Sequence, residues 1–288
     1  MADLLLSPFS DFAFMQRALV GVIAIALAGG PVGVFLMLRR MSLTGDAMAH
    51  AILPGAAIGY LIAGLSLPAM TIGGLVAGVV VAVAAGLVSR FTALKEDASL
   101  AAFYLLSLAL GVTIVSLRGS NVDLLHVLFG TVLALDDSTL LLISAISTIT
   151  VLALALFYRP LVLECVDPTF LRSVSRAGTP THLVFLGLVV LNLVGGFHAL
   201  GTLLAVGMMM LPAAASRFWT NDITMMMVTS VAIGIVSGIG GLLLSFHAEL
   251  PAGPAIILTA GGIYGLSLLV GREGGLLWLA WPGRHLEA

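Results

Sequence analysis

An acid and an imidazole stand four residues apart in this chain, at the opening of a long apolar stretch. They are Asp46 and His50, within the segment 43–55. On an α-helix, residues at this spacing share one face and lie about 6 Å apart along the axis. A carboxylate and an imidazole on one face can bind a divalent transition metal, whereas Mg²⁺ does not need the imidazole. In the alternative interpretation, Asp46 caps a helix and His50 hydrogen-bonds to a neighbouring helix.

The composition places this pair in a membrane protein. Of the 288 residues, 60% are hydrophobic and only 9% are charged, whereas soluble domains carry about 25% charged residues. Ionisable groups inside a membrane usually mark a substrate path, which favours the metal interpretation. The net charge of −2 and the absence of Lys/Arg runs argue against nucleic acid binding. The single cysteine, Cys165, excludes an intramolecular disulfide and a CxxC site.

Apolar stretches of the length needed to cross a bilayer recur along the whole chain. The predicted fold is therefore all-α: a polytopic helical bundle with about nine transmembrane helices, forming one domain over 1–288. The predicted spans lie near 14–38, 46–66, 69–90, 98–117, 138–158, 181–197, 199–216, 223–246 and 252–271.

The basic residues predict the orientation of these spans. If Arg39 and Arg40 face the cytoplasm and the spans alternate, ten of the twelve Lys and Arg residues fall on the cytoplasmic side. The N-terminus is then outside and the C-terminus is cytoplasmic. Asp46 and His50 lie one or two helical turns from the cytoplasmic headgroups. A break at Pro54-Gly55 could re-aim this segment, because discontinuous helices often build transporter sites.

One cytoplasmic loop, about 159–180, has the pattern of a short helix. Asp167 before Pro168 is a favourable N-cap and first-turn pair, and Gly178 suits the C-terminal cap. We therefore expect a helix over 167–178. One of its sides is apolar and carries Phe170, Leu171 and Val174.

Three further candidate ligands fall on the outer side of the predicted bundle. His198 ends the sixth span, and His247 and Glu249 end the eighth. They form either an acidic and imidazole-rich mouth that receives a cation or a solvated rim.

Pairs of glycines recur at a spacing that lets helices approach closely in lipid. These pairs are Gly29/Gly33, Gly74/Gly78, Gly234/Gly238 and Gly261/Gly265.

Four ordered blocks of the sequence resemble the zinc/manganese/iron ABC-transporter permeases. The segment 38–55 is similar to the signature of that family, and 8–18, 200–215 and 250–256 are similar to further blocks. The resemblance implies a fold similar to the vitamin B12 importer type, a homodimer, an ATPase subunit at the cytoplasmic face and an extracytoplasmic metal-binding protein. The setting it implies is a bacterial inner membrane.

The resemblance also assigns roles to residues. Asp46 and His50 match the acid and histidine proposed to contact the metal in the path. The helix 167–178 occupies the position of the coupling helix that docks on the ATPase. The residues expected to carry this docking are Asp167, Phe170, Leu171, Arg172, Val174 and Gly178. Relatives often carry Gln or another polar residue at the position of His198, and a histidine there is expected to favour Zn²⁺ or to be neutral.

These observations predict the permease of a binding-protein-dependent importer for zinc, manganese or ferrous iron. The chain has no GxxxxGK[ST] loop, so we expect a transport subunit that is not itself an enzyme, with ATP hydrolysis on a separate chain. No permanently bound cofactor is expected, because the metal is cargo. Three alternatives stay open: an importer of an organic metal chelate or cofactor on the same fold, a secondary cation transporter with Asp46 as proton carrier, and a membrane scaffold.

Overall fold

The computed structural model describes residues 2–64, 66–94, 96–117, 135–167 and 178–277, and all regular structure in these ranges is helical. The helices are α1 Ala2–Asp11, α2 Ala13–Leu38, α3 Ser42–Ala51, α4 Leu53–Ala63, α5 Leu67–Phe91, α6 Glu96–Leu117, α7 Asp137–Val166, α8 Gly178–Ser216, α9 Ile223–Ala248 and α10 Ala252–Val270.

The predicted membrane spans are found in the described residues. Seven helical segments are long and apolar enough to cross a membrane, and two shorter apolar helices, Ala98–Ile114 and Gly201–Ser216, occupy the remaining two predicted positions. The all-α membrane fold is therefore confirmed, with a helix count close to the expected nine. The second span differs most, because α3 and α4 together cover Ser42–Ala63 and begin four residues before the predicted start.

The sixth and seventh predicted spans form one helix, α8, that reverses direction. Gly201 inside it has φ 78° and ψ 165°. Glycine adopts such a positive φ readily, whereas a residue with a side chain would be strained there. A Cβ on Gly196 would lie 2.6 Å from the Cβ of Ala205, so the two arms meet closely beside this turn. The turn lets both arms of α8 pack against α2.

Arginine side chains lie at both ends of the helical bundle, with Arg17 at one end and Arg39 at the other. At one end Arg17 pairs with Asp137 at 3.1 Å. At the other end Arg39 contacts residues of α7 and α8. The segments containing Arg217 and Arg272 lie next to each other, because the amide of Glu273 donates to the carbonyl of Phe218. These two segments lie at the same end of the bundle as Arg39, because Val34 on α2 packs with Ala213 and Met226. This arrangement agrees with the predicted grouping of the basic residues.

Small residues allow the closest contacts between helices. A Cβ on Gly55 of α4 would overlap the carbonyl of Gly73 on α5, and one on Gly33 would overlap the carbonyl of Met209. The predicted pairs 29/33, 74/78 and 234/238 all face neighbouring helices. Gly261 and Gly265 meet nothing within 4 Å, so this last pair does not mediate packing among the described residues.

Two helices begin with an aspartate cap. Asp136 accepts a hydrogen bond from the Thr139 amide at the start of α7, and Asp222 accepts one from the Met225 amide at the start of α9. A further hydrogen bond from the Ser138 hydroxyl, together with those from Thr139, lowers the pKa of Asp136 from 3.8 to about 2. The carboxylate at the opening of α7 is thus held in its charged, capping form.

Candidate metal path

The acid–histidine pair is carried by α3, which a tight turn joins to α2. Arg39 caps α2, and Arg40 takes a left-handed backbone with φ 58°. The amide of Met41 donates back to the carbonyl of Leu36 at 2.9 Å. Because the turn closes within three residues, the end of α2 and the start of α3 are held close together.

Asp46 and His50 lie on the same face of α3, as their spacing predicts. Asp46 Oδ1 is 3.8 Å from His50 Nε2, beyond hydrogen-bond distance. Ligands at about 2.1 Å from a tetrahedral metal are about 3.4 Å apart, so a small side-chain movement would let both atoms bind one ion. Asp46 is 65% exposed and His50 27% exposed, so a cation can reach both groups.

The pair lies in the first half of its span. Asp46 is about 6 Å and His50 about 12 Å past the start of the span at Ser42, using a rise of 1.5 Å per residue. These distances correspond to about one and two helical turns from the start of the span. The span has only 22 residues, however, so His50 lies within about 4 Å of its midpoint. Asp46 and His50 therefore lie between one end of the span and its middle.

The expected break near Pro54 is a local interruption at Ile52. Pro54 has no N–H to donate to the carbonyl of His50, which weakens the helix there. Ile52 keeps helical angles of φ −74° and ψ −28°, and α3 and α4 together form one candidate span, Ser42–Ala63. The hydroxyl of Ser107 on α6 donates to the Ala51 carbonyl at 2.9 Å, which supports the backbone at this point.

A cavity of about 170 Å³ opens beside the pair, between α3 and α6. Asp46 and Thr44 line it from α3, and Tyr104 lines it from α6. Tyr104 also faces His50, with ring centroids 6.2 Å apart. The Thr44 side chain is buried, and its hydroxyl oxygen has no hydrogen-bond partner among the described residues. Thr44 could not be found from the sequence, because a threonine in an apolar stretch carries no distinctive signal.

The described residues contain no cluster of three or more His, Cys, Asp or Glu side chains that could hold a metal ion. Asp46 and His50 can thus offer two ligands from one chain. A structural zinc site has four protein ligands, so this pair is suited to weak and transient binding.

A buried charged cluster lies at the arginine-rich end. Arg39 Nη2 is 2.7 Å from Glu164 Oε1 and 2.9 Å from His182 Nδ1. Arg39 was predicted only as a topology signal, and no role was predicted for His182. In the structure both side chains are buried and in contact with each other. The sequence could not reveal the cluster, because Arg39 is more than one hundred residues away from both Glu164 and His182.

The candidate outer residues lie at the end of the bundle opposite Arg39. His247 and Glu249 are exposed at the end of α9, where Phe246 meets Phe12, with ring centroids 5.5 Å apart. The Nδ1–H of His247 donates to the Leu243 carbonyl at 2.9 Å, which leaves Nε2 available to a cation. Residue 198 lies in α8 just before the turn at Gly201. A mouth formed by His198, His247 and Glu249 stays a prediction.

The predicted coupling helix falls mostly outside the described residues, which include only its two ends. Asp167 ends α7 with an extended backbone, and Gly178 is the first residue of α8. Phe170, Leu171, Arg172 and Val174 lie outside the described ranges.

Comparison with known proteins places the chain among metal transport proteins. The profile of the ABC 3 transport family matches residues 11–271. The manganese transport system membrane protein MntC of Halalkalibacterium halodurans is 32% identical over 96% of this chain and 94% of its own length. The zinc transport system membrane protein TroC of Treponema pallidum is 30% identical over 97% of this chain and 96% of its own. Among solved structures, PsaBC from Streptococcus pneumoniae in complex with Fab is similar with a TM-score of 0.85 and 28% identity, covering 97% of this chain and all of that one.

Proposed function

The chain belongs to the ABC 3 transport family, and we propose that it is the membrane permease subunit of an ATP-driven, binding-protein-dependent importer of a divalent transition metal. The observation that carries this proposal is the Asp46 and His50 pair, exposed on one face of α3 and reaching the middle of its span. The cargo is manganese or zinc, in line with the names of the similar proteins, with ferrous iron as a third candidate.

Transport requires that the ion be bound briefly and released. A carboxylate and an imidazole supply two ligands, and water or the same pair on a second copy of the chain completes the coordination. Thr44 lines the cavity next to Asp46 and its hydroxyl oxygen is buried, so a rotation of this side chain presents a further oxygen to the ion as it passes. Incomplete coordination by a single chain keeps the exchange fast, because no closed site traps the ion.

The proposal assigns the two ends of the bundle to two partners. The end with Arg39 faces the cytoplasm of an inner-membrane protein, where an ABC ATPase dimer docks on the segment 167–178 of a permease homodimer. The opposite end receives the ion from an extracytoplasmic metal-binding protein. His198, His247 and Glu249 form the mouth there. The N-terminus is then outside and the C-terminus cytoplasmic.

Element-resolved metal uptake in a strain that lacks the gene tests this function. Complementation with the wild-type chain restores accumulation of one transition metal, whereas the Asp46→Ala and His50→Ala variants reach the membrane but restore none. Ser42→Ala, an exposed change on the same helix, is the matched control and keeps uptake. Normal uptake in both ligand variants would reject the assigned path, and no metal dependence in the wild type would reject the function.

A further inference from the structure

The buried cluster of Arg39, Glu164 and His182 joins three helices at one end of the bundle. The three side chains are each 8–9% exposed. Arginine only donates hydrogen bonds, so in the 2.9 Å contact Arg39 Nη2 donates and His182 Nδ1 accepts. The guanidinium also stacks 4.9 Å from the ring centroid of Phe185. The position of Arg39 is thus fixed by partners on both α7 and α8.

Stability alone does not explain this cluster. A buried ion pair rarely stabilises a protein more than apolar side chains of the same volume would. The pair is also incompletely satisfied, since Arg39 Nη1 and Glu164 Oε2 have no hydrogen-bond partner among the described residues. An arginine and a carboxylate can form two parallel hydrogen bonds, and this pair forms one. A buried ion pair with unused hydrogen-bonding groups points to a role in positioning the helices that it joins.

The cluster connects the two chain segments that matter for transport. Glu164 lies three residues before Asp167, and His182 lies four residues after Gly178, so the two flank the segment proposed to dock on the ATPase. Arg39 lies three residues before α3, and the tight turn at Arg40 joins it to that helix. Arg39 therefore links the residues on both sides of the α7–α8 connection to the helix that carries Asp46 and His50.

We propose that Arg39, Glu164 and His182 are positioning residues that couple the α7–α8 connection to α3, and through α3 to Asp46 and His50. This inference rests on the proposed function, in which an ATPase acts at this end of the bundle. The three residues do not touch the ion. Their loss therefore affects how much metal is moved for each ATP hydrolysed, and not whether the ATPase binds or hydrolyses ATP.

The test uses the assembled transporter in proteoliposomes, with Mn²⁺ or Zn²⁺ uptake and ATP hydrolysis measured on the same sample. The double variant Arg39→Met/Glu164→Met removes both charges and leaves no unpaired ion, so it is expected to fold. We expect assembly and ATP hydrolysis to be retained, while metal uptake per ATP falls about tenfold, within the usual 5–150-fold range of coupling between sites. An unchanged ratio would overturn the proposal.

A matched ion pair at the other end provides the control. Arg17 and Asp137 are also joined by a salt bridge, at 3.1 Å, but they are exposed and lie far from α3. The Arg17→Gln/Asp137→Asn variant should keep the wild-type ratio of uptake to hydrolysis. A tenfold fall in this variant as well would show that any lost ion pair has the effect, and would contradict a specific role for the buried cluster.

A second pair of variants tests the cluster if the double variant does not assemble. His182→Asn keeps a side-chain oxygen that can accept from Arg39, whereas His182→Leu removes the acceptor. The proposal expects the ratio of uptake to hydrolysis to fall in the Leu variant and to be largely preserved in the Asn variant. Equal, wild-type ratios in both would overturn it. A wild-type complex with no ATP-dependent metal uptake would instead reject the proposed function itself.

Discussion

Replacing Thr44 with valine separates a structural role of its hydroxyl from a role in transport. The hydroxyl oxygen is buried and has no hydrogen-bond partner among the described residues, and Thr44 lines the cavity that Asp46 also lines. Valine has the same branched shape but replaces the oxygen with a methyl group. An unsatisfied buried polar group costs about 1–3 kcal/mol, so Thr44→Val removes a penalty and fills the same space.

The two measurable effects of this change have opposite signs. Taking the lower bound, the free energy of unfolding rises by about 1 kcal/mol, which raises the melting temperature in detergent by about 2–4 °C for a chain of this size. Uptake falls, because a passing cation loses one oxygen ligand. A loss of about 1.4 kcal/mol along the path corresponds to a tenfold slower uptake.

Thr44→Ser is the matched control. It keeps the hydroxyl but deletes a buried methyl group, which costs about 1 kcal/mol of stability. The serine variant should thus melt at a lower temperature than wild type and still transport the metal. A valine variant that transports normally would refute the role given to Thr44 in the path. A valine variant that melts below wild type would refute the reasoning about its unsatisfied oxygen.

Three further predictions concern packing, pH and docking. Gly55→Ala forces a Cβ against the backbone carbonyl of Gly73 and should cost about 1–3 kcal/mol of stability, whereas Gly261→Ala, with open space around it, should be neutral or stabilising by up to about 1 kcal/mol in a thermal melt. Because the pKa of Asp136 is lowered from 3.8 to about 2, its contribution to stability is present above pH 3.8 and is lost as the pH falls toward 2; melting curves of Asp136→Asn should lack this component. Phe170→Asp places a charge on the apolar side of the proposed coupling helix and should prevent co-purification with the ATPase, and an intact complex would contradict the docking assignment.

Much of the fold could be predicted because lipid imposes simple rules on the chain. Without water to satisfy the backbone, each crossing must be a helix of apolar residues, so length and composition alone located the spans. The same rules showed that Asp46 and His50 are costly in this setting and share a helical face. A spacing of four residues places both side chains on one face of an α-helix, whatever packs around that helix.

The details of the site depended on contacts between distant parts of the chain. The early start of the second span at Ser42 brought His50 near its midpoint, and the interruption of the helix lies at Ile52, two residues before Pro54. Neither follows from hydropathy, which changes gradually along a sequence and cannot fix a helix end to within one turn.

The sequence by itself determined the class of protein, the approximate number of crossings and the shared helical face of Asp46 and His50, because these depend on composition and on periodicity within a single helix. Only the tertiary structure decided which polar groups meet. It buried Arg39 with Glu164 and His182, and it placed Thr44 in the cavity beside Asp46. Such contacts are set by the packing of helices that are far apart in the chain, and in an apolar interior a charge is stable only where packing supplies its partner.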